Sequence, residues 1–520
     1  MLRGFLTVGG WTMASRVLGL VRDQLLAATL GVGPVQDAYQ VAFRLPNLFR
    51  RLFGEGAFNS AFVPLFSGLL AREGAEVARG FAREALGVLL FWLLILTVAG
   101  EIFMPQVIGV IGYGFAPATK AIAISLSRIT FPYVLLICAA ALVSGVLNGL
   151  ERFGVAAAAY VLFNVVGIGA ILFLTPFVAG VAHAAAWGIT LSGVAQLAVL
   201  MLAARRAGMG LGLPRPRLTP RMRLLMRRML PGLVGSGVTQ LNLGIDTIIG
   251  TLLPPGSVSL MYFADRVNQL PLGVLGAAAG TTMLPVLARQ AQTGDEEAAR
   301  RTQNSAIEYG LILTLPSALA LMVLAAPILS TLFGYGHFTA HDAVLSGQSL
   351  AAYALGLPFF VLVKVLTPGF FARGDTSTPV RIGMATLALN LTLNLMLMRP
   401  LHHVGPPLAS SLAAAANAAV LAFLLFRRGY LRPDRRMLSR LARMGAAAAI
   451  MAAAVGTAQR MLLPDIAQLA GLHRLALLGT LILAGMTAYA LALQAMGVIR
   501  LSTVRDAVAR RLKRRRSARI

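Results

Sequence analysis

The run Phe131-Pro132-Tyr133-Val134-Leu135-Leu136-Ile137-Cys138-Ala139-Ala140-Ala141-Leu142-Val143-Ser144-Gly145-Val146-Leu147 passes through seventeen positions without a charge. With its flanks (121–149) it exceeds the roughly 20 apolar residues that a helix needs to cross ~30 Å of hydrocarbon. Blocks of the same kind recur along the whole chain. Pro, Gly and clustered charge punctuate them, as in Leu213-Pro214-Arg215-Pro216 and Leu253-Pro254-Pro255-Gly256. The pattern predicts an all-α polytopic membrane protein.

Composition points the same way. The 520 residues are 57% hydrophobic and 12% charged, with a mean hydropathy of +0.76, whereas a soluble domain carries roughly a quarter charged residues. The net charge of +27 raises the question of nucleic acid, and the placement of the 46 Lys and Arg answers it. They lie mostly in short loops between apolar blocks and in the tail Arg500 to Arg519, which is the signature of a cytoplasmic membrane face. Cys138 is the single cysteine, so neither a disulfide framework nor a thiolate metal site is expected. Met1-Leu2-Arg3 and the apolar stretch behind it imitate a signal peptide. Arg16, Arg22 and Asp23 interrupt that stretch, so it reads as the first membrane helix.

Fourteen spans are expected: 4–30, 36–68, 84–110, 121–149, 155–178, 184–204, 229–253, 257–288, 304–332, 345–371, 382–398, 404–426, 444–459 and 475–496. With the N-terminus inside, thirty-four basic residues fall on the cytoplasmic side, eight of them in the 6–7 loop, seven in the 12–13 loop and nine in the tail. Only Lys120, Arg399, Arg460 and Arg474 fall on the opposite side, which predicts an N-in, C-in inner-membrane protein. A weak repeat is visible as well. Leu45-Pro46 in span 2 recurs as Leu270-Pro271 in span 8, and Phe131-Pro132 in span 4 as Leu357-Pro358 in span 10. Repetition after six spans preserves orientation and implies two similar lobes related by a pseudo-two-fold along the membrane normal. The expected organisation is an N-lobe (1–210), a C-lobe (211–430), two extra helices (431–500) and a basic tail (501–520).

The ionisable residues inside spans carry the functional information: Arg16, Arg22, Asp23, Asp37, Arg44, Arg50, Arg51, Glu55, Arg128, Asp246, Asp265, Arg266 and Lys364. Each costs roughly 2.5–3.5 kcal/mol near a helix centre and by default marks a site. A plainer reading competes residue by residue. Arg50, Arg51, Arg128 and Lys364 near helix ends can snorkel to the interface, and Arg16 with Asp23, or Asp265 with Arg266, can form structural ion pairs. Spans 1 and 2 nevertheless hold more cations than anions, and a cationic surplus in a membrane cavity implies an anionic ligand. Asp37, Arg44 and Arg51 are seven apart and form one stripe, which Pro46 will kink. Arg16 and Arg22, six apart, point ~120° from each other, so they line two walls rather than one point. Arg suits bidentate capture of phosphate oxygens, which predicts a phosphate-bearing headgroup as ligand.

Asp246 in span 7, with Asn390 and Asn394 on one face of span 11, offers oxygen ligands for a hard monovalent cation, sodium or proton. Interhelical hydrogen bonds are the competing explanation for the two asparagines. No other cofactor is expected. His337, His341, His402 and His403 fall in expected extracytoplasmic loops, and no hydrolase triad, P-loop or zinc motif is present, so an enzyme is not predicted.

Several stretches resemble the MurJ/MviN family. They are Ser15-Arg16-Val17-Leu18-Gly19, Val21-Arg22-Asp23, Asp37-Ala38, Ala42-Phe43-Arg44-Leu45-Pro46-Asn47 and Phe53-Gly54-Glu55-Gly56-Ala57-Phe58. Further along come Tyr262-Phe263-Ala264-Asp265-Arg266, Tyr335-Gly336-His337-Phe338-Thr339 and the run from Lys364 to Arg373. The resemblance runs nearly end to end. It implies the multidrug/oligosaccharidyl-lipid/polysaccharide exporter fold, alternating access, and lipid II, the undecaprenyl-linked peptidoglycan precursor, as substrate. It further implies that Arg16, Arg22, Arg51 and Arg266 hold the headgroup, that Asp37 is an essential acid, and that the two extra helices hold the polyprenyl tail. Sodium binding in some members fits Asp246, Asn390, Asn394 and Ser410. Gln269 departs from the pattern, because the family often has glutamate three residues after this arginine. The rival readings are another polyprenyl-saccharide or drug exporter of the same fold, and a membrane scaffold for cell-wall synthesis proteins.

Overall fold

Hydrocarbon offers no water to backbone N–H and C=O groups, so a chain that crosses it must satisfy them along its own axis. The computed structural model does so with eighteen α-helices and no strand among the described residues. These are 2–51, 58–212, 216–462 and 471–498, with side chains described for all except 2–6, 59–60, 231–239, 241–243 and 274–282. Glu55, the 213–215 part of the Pro-rich loop and the basic tail 501–520 lie outside them.

Nine stretches of the described chain are long and apolar enough to cross a membrane. One of these, 377–427, holds two helices joined by the 3-10 turn 402–404, so together they account for ten expected spans. The other four expected spans correspond to α1 (Leu2–Leu30), α2 (Pro34–Phe49) with α3 (Phe58–Glu73), α10 (Pro220–Thr251) and α11 (Ser257–Gln292). These four bear most of the intramembrane charges. Several helices start well before their apolar window. One example is α4 (Ala75–Ile102), because hydropathy marks the buried length and not where the helix is capped.

The chain divides into two compact units, 1–259 with 335–339, and 260–334 with 340–520. In the first, α1 to α4 are followed by α5 (Met104–Ile111), α6 (Pro117–Thr130), α7 (Tyr133–Gly149), α8 (Phe153–Phe173), α9 (Val181–Arg206) and α10. Its core contains a ladder of Phe58, Phe62 and Phe66 along α3, with Phe81 of α4 stacked 5.6 Å from Phe62. At the contact of α8 with α9, a Cβ on Gly188 would lie 3.2 Å from the Cα of Gly167, so two backbones meet where only small residues fit. The sequence divides at 210/211 and the contacts at 259/260, and α10 is the difference. Its start is tied to the first unit by Thr219 Oγ1 to Glu84 (2.9 Å) and Arg221 to Glu73 (2.8 Å), and its end by the Gly114 N–H donating to Thr251 Oγ1 (3.3 Å).

The second unit contains α12 (Glu296–Val323), α13 (Ala325–Phe333), α14 (Ala340–Phe371), α15 (Ser377–Leu401), α16 (Gly405–Arg427), α17 (Arg435–Leu462) and α18 (Gly471–Ala495). The last two pack within it. Arg440 pairs with Glu308 (2.9 Å), Tyr489 Oη donates to Ile312 O (2.8 Å) and Arg474 to Gly334 O (3.1 Å). One end of the unit is knotted by charge. Arg373 grips Glu296 (2.6 Å) and lies 3.9 Å over the Tyr430 ring. Arg428 donates to Asp375 (2.5 Å), whose other oxygen caps α15 by accepting from Thr378 N (3.0 Å) and Ser377 Oγ (3.1 Å).

Arg428 first, and then Thr378, hold the Asp375 carboxyl well below the ordinary aspartate range. A depressed folded value gives stability that is fully present above the unfolded value, ~3.9, and is lost as pH falls through the folded one. Melting curves of the purified protein in detergent at pH 7 and pH 3 should show a steeper acid loss for wild type than for Asp375→Asn, which does not titrate. Asp375→Ala should cost about 1 kcal/mol at pH 7 through the lost cap. Equal pH dependence in wild type and Asp375→Asn would remove this residue from the account.

Candidate functional site

The cations of α1 are divided by the helix itself. Arg16 is exposed and Arg22 buried, with 6% of its surface accessible, as an angle of ~120° between them requires. The Arg22 guanidinium donates to Asp23 (2.9 Å) and sits between two rings, 5.0 Å from Phe163 and 5.6 Å from Phe43. A desolvated cation–π contact of this kind is worth roughly 2 kcal/mol. Local packing builds the cage. Asn164 Nδ2 donates to Ser15 O (2.9 Å) and pins α8 to α1, which sets the neighbouring Phe163 against Arg22. Phe43 stacks on Phe163 at 6.1 Å, and Tyr39 stacks on Phe43 at 6.4 Å.

On α2 the stripe Asp37, Arg44, Arg51 has one end buried and the other two residues half-buried. Arg50 Nε donates to Asn47 Oδ1 (2.9 Å). Asp37 is enclosed, and its carboxylate accepts from Gly256 N (2.6 Å), Ser259 N (2.8 Å) and Ser259 Oγ. Its partners form the first turn of α11, where amides lack acceptors within the helix and the helix dipole favours a negative charge. Asp37 therefore caps α11 from 219 residues away in sequence. The boundary between the compact units falls directly after Ser259, so the acid grips the first-unit end of a helix that continues in the second.

A second long-range contact closes the end of α1. The loop Tyr335–Thr339 belongs to the first unit, and His337 donates its N–H to Ala28 O (2.9 Å), with ring Nδ1 3.1 Å from the same oxygen. Gly336 (φ 59) lies against the Ala28 carbonyl so closely that a side chain there has no room.

In the second unit, Arg266 is half-buried on α11 and Gln269 is exposed. Gln269 Nε2 donates to Asp265 Oδ2 (2.5 Å), one turn back. Glutamate at 269 would set a second carboxylate against Asp265, so the amide resolves a repulsion by donating. Asn390 and Asn394 are buried on one face of α15, and Ser410 is half-buried on α16, where the adjoining Ser411 donates to Ala352 O (2.6 Å). Asp246, half-buried on α10, belongs to the first unit. Arg128 and Lys364 are exposed. Sequence reasoning missed the cage residues Phe43 and Phe163, the cap donors Gly256 and Ser259, and the role of the His337 loop. The Pro254-Pro255-Gly256 punctuation before a serine-flanked helix start was the one available signal of the cap.

The chain matches the family described as lipid II flippase MurJ over residues 26–468. A Rhizobium meliloti (strain 1021) protein named probable lipid II flippase MurJ is 42% identical, over 98% of this chain and 96% of its own. A solved structure described as lipid II flippase MurJ, inward closed conformation, shares the fold with a TM-score of 0.77 at 24% identity, covering 94% of this chain and 98% of that one. An inward-facing multidrug resistance MATE family transporter of the MOP superfamily gives a TM-score of 0.66 at 17% identity, covering 80% of this chain and 94% of its own.

The Asp37 cap sets an order among substitutions. Asp37→Ala leaves two first-turn amides without their acceptor and should cost about 1–2 kcal/mol. Ser259→Ala removes only the hydroxyl and should cost less, with Asp37→Asn between them. Thermal unfolding of the three purified variants checks the ranking, and a Ser259→Ala loss equal to that of Asp37→Ala would argue against backbone capping.

Proposed function

The chain belongs to the lipid II flippase MurJ family, and on that premise we propose that it carries lipid II from the inner to the outer leaflet of the bacterial inner membrane for peptidoglycan synthesis. The physical task is to take a diphosphate and polar sugars past hydrocarbon, where an unshielded charge costs tens of kcal/mol in the idealised limit. The observation that carries the reading is the arginine surplus of the helices that would meet such a headgroup. Arg16 is exposed and Arg44, Arg51 and Arg266 are half-buried, and we assign these four to the phosphate oxygens, which suit the guanidinium fork. Arg22 is already matched by Asp23, so substrate phosphate and Asp23 compete for it. Asp37 is assigned to holding α11 and not to the substrate.

We assign the polyprenyl tail to α17 and α18, and both termini to the cytoplasm, where the loop charge puts them. On donor chemistry the coupling ion is a monovalent cation, with Asp246 as its carboxylate and Asn390, Asn394 and Ser410 as neutral oxygens. Alternating access driven by headgroup binding completes the proposed cycle.

In a bacterium depleted of its own lipid II flippase, the parent chain should restore lipid II accessible on the outer leaflet. Arg22→Ala and Arg266→Ala, inserted at normal levels, should not. Equal rescue by these variants would sink the cationic site. In the same cells, rescue should fall when sodium is replaced by potassium, and Asp246→Asn should abolish that difference. A sodium-independent parent would remove the ion assignment and leave the flippase reading standing.

A further inference from the structure

At the end of the first unit where α4 begins, a cleft of about 260 Å³ opens between α4 and the loop that leads from α9 to α10. One wall presents Arg79 and Arg83, one turn apart, with Gly80 between them. The other is Gly210-Leu211-Gly212, and Glu76 stands at the rim. The loop is held from behind. Met209 and Leu211 are buried in the core, Met209 N donates to Ala204 O (2.9 Å), and Gly208 and Gly212 turn with φ of 77° and 57°. The amides of Gly210, Leu211 and Gly212 donate to no acceptor among the described residues.

Arginine side chains pack against the same loop. The Arg83 guanidinium lies 4.0 Å from where a Cβ on Gly212 would sit, and Arg205 Cγ lies 3.6 Å from the corresponding point on Gly210. Arg79 shares its charge with Glu76 (2.6 Å), the one carboxylate among the described residues that line the cleft. A basic membrane face is ordinarily a set of separately solvated side chains. Here two arginines, one helical turn apart, line a cleft with a loop whose amides have no acceptor among the described residues. That combination, forked cations with successive backbone N–H groups, fits a tetrahedral oxyanion with several acceptor oxygens.

We propose that this cleft binds a phosphate-bearing anion, held by Arg79 and Arg83 and by the amides of the 210–212 loop, apart from the residues assigned to the transported substrate. The bound phosphate braces α4 against the loop that continues to Thr219, which Glu84 already ties to α4 at the start of α10. Two sources share this chemistry, a phospholipid headgroup and a soluble phosphate compound.

The test uses the purified full chain in nanodiscs of phosphatidylcholine, with and without phosphatidylglycerol. Native mass spectrometry reads retained phosphatidylglycerol, and thermal shift in the neutral discs reads inorganic phosphate. Two variants disable the site: Arg79→Gln with Arg83→Gln, and Gly80→Glu. A side chain at Gly80 meets nothing within 4 Å, so the second variant keeps the fold while setting a carboxylate in the cleft. Gly80→Ala is the control that should bind like wild type. Both disabling variants should bind roughly tenfold or more weakly, the effect of losing charge-assisted hydrogen bonds. Retained phosphatidylglycerol without phosphate protection assigns a lipid headgroup. Protection by phosphate in neutral discs assigns a soluble compound. Wild type and both disabling variants behaving alike with both probes overturns the proposal.

Discussion

A charged side chain in hydrocarbon has to find within the protein the solvation that water gave it, or it will not stay there charged. This constraint orders the first unit. Arg22 meets it with an adjacent carboxylate and two aromatic faces, and in doing so brings α1, α2 and α8 to one point. Asp37 meets it with two amides and a hydroxyl at the start of α11. Every solution recruits groups from other helices, so each buried charge doubles as a joint. Without the hydrophobic effect to press helices together in lipid, close packing of small residues such as Gly167 and Gly188 supplies the rest.

Much of this was legible before any coordinates. Apolar blocks have length, which one sequence displays directly, and the expected spans meet helices among the described residues. The angular separation of Arg16 and Arg22 is also a local quantity, and the two do part into an exposed and a buried residue. The partners were not legible. Phe163 lies 141 positions from Arg22 and carries no signal beyond being aromatic in an apolar run. Gly256 reads as turn punctuation and only the fold reveals it as a donor to Asp37. The departure at Gln269 is the reverse case, a local oddity whose reason is equally local, since Asp265 stands one helical turn away.

The first turn of α11 concentrates these effects. It is the place where the chain leaves one compact unit for the other, and it is the turn that Asp37 holds. A helix fixed at its end by charge and interrupted inside by Pro271 and Pro285 is stiff where it is gripped and adjustable where it is not. Arg266 lies between the grip and the first of those prolines, on the stretch of α11 that no proline interrupts.

The loop Tyr335–Thr339 has a consequence for biosynthesis. A ribosome delivers α1 first, yet the carbonyl of Ala28 waits for the amide of His337, made more than three hundred residues later. The first unit is thus discontinuous in the chain, and its closure waits for the opening stretch of the second, 260–334, to be made. Folding from the N-terminus onward, the usual habit of multidomain chains, can run only as far as an unclosed α1. The final stitch is made by a piece of sequence that lies between α13 and α14.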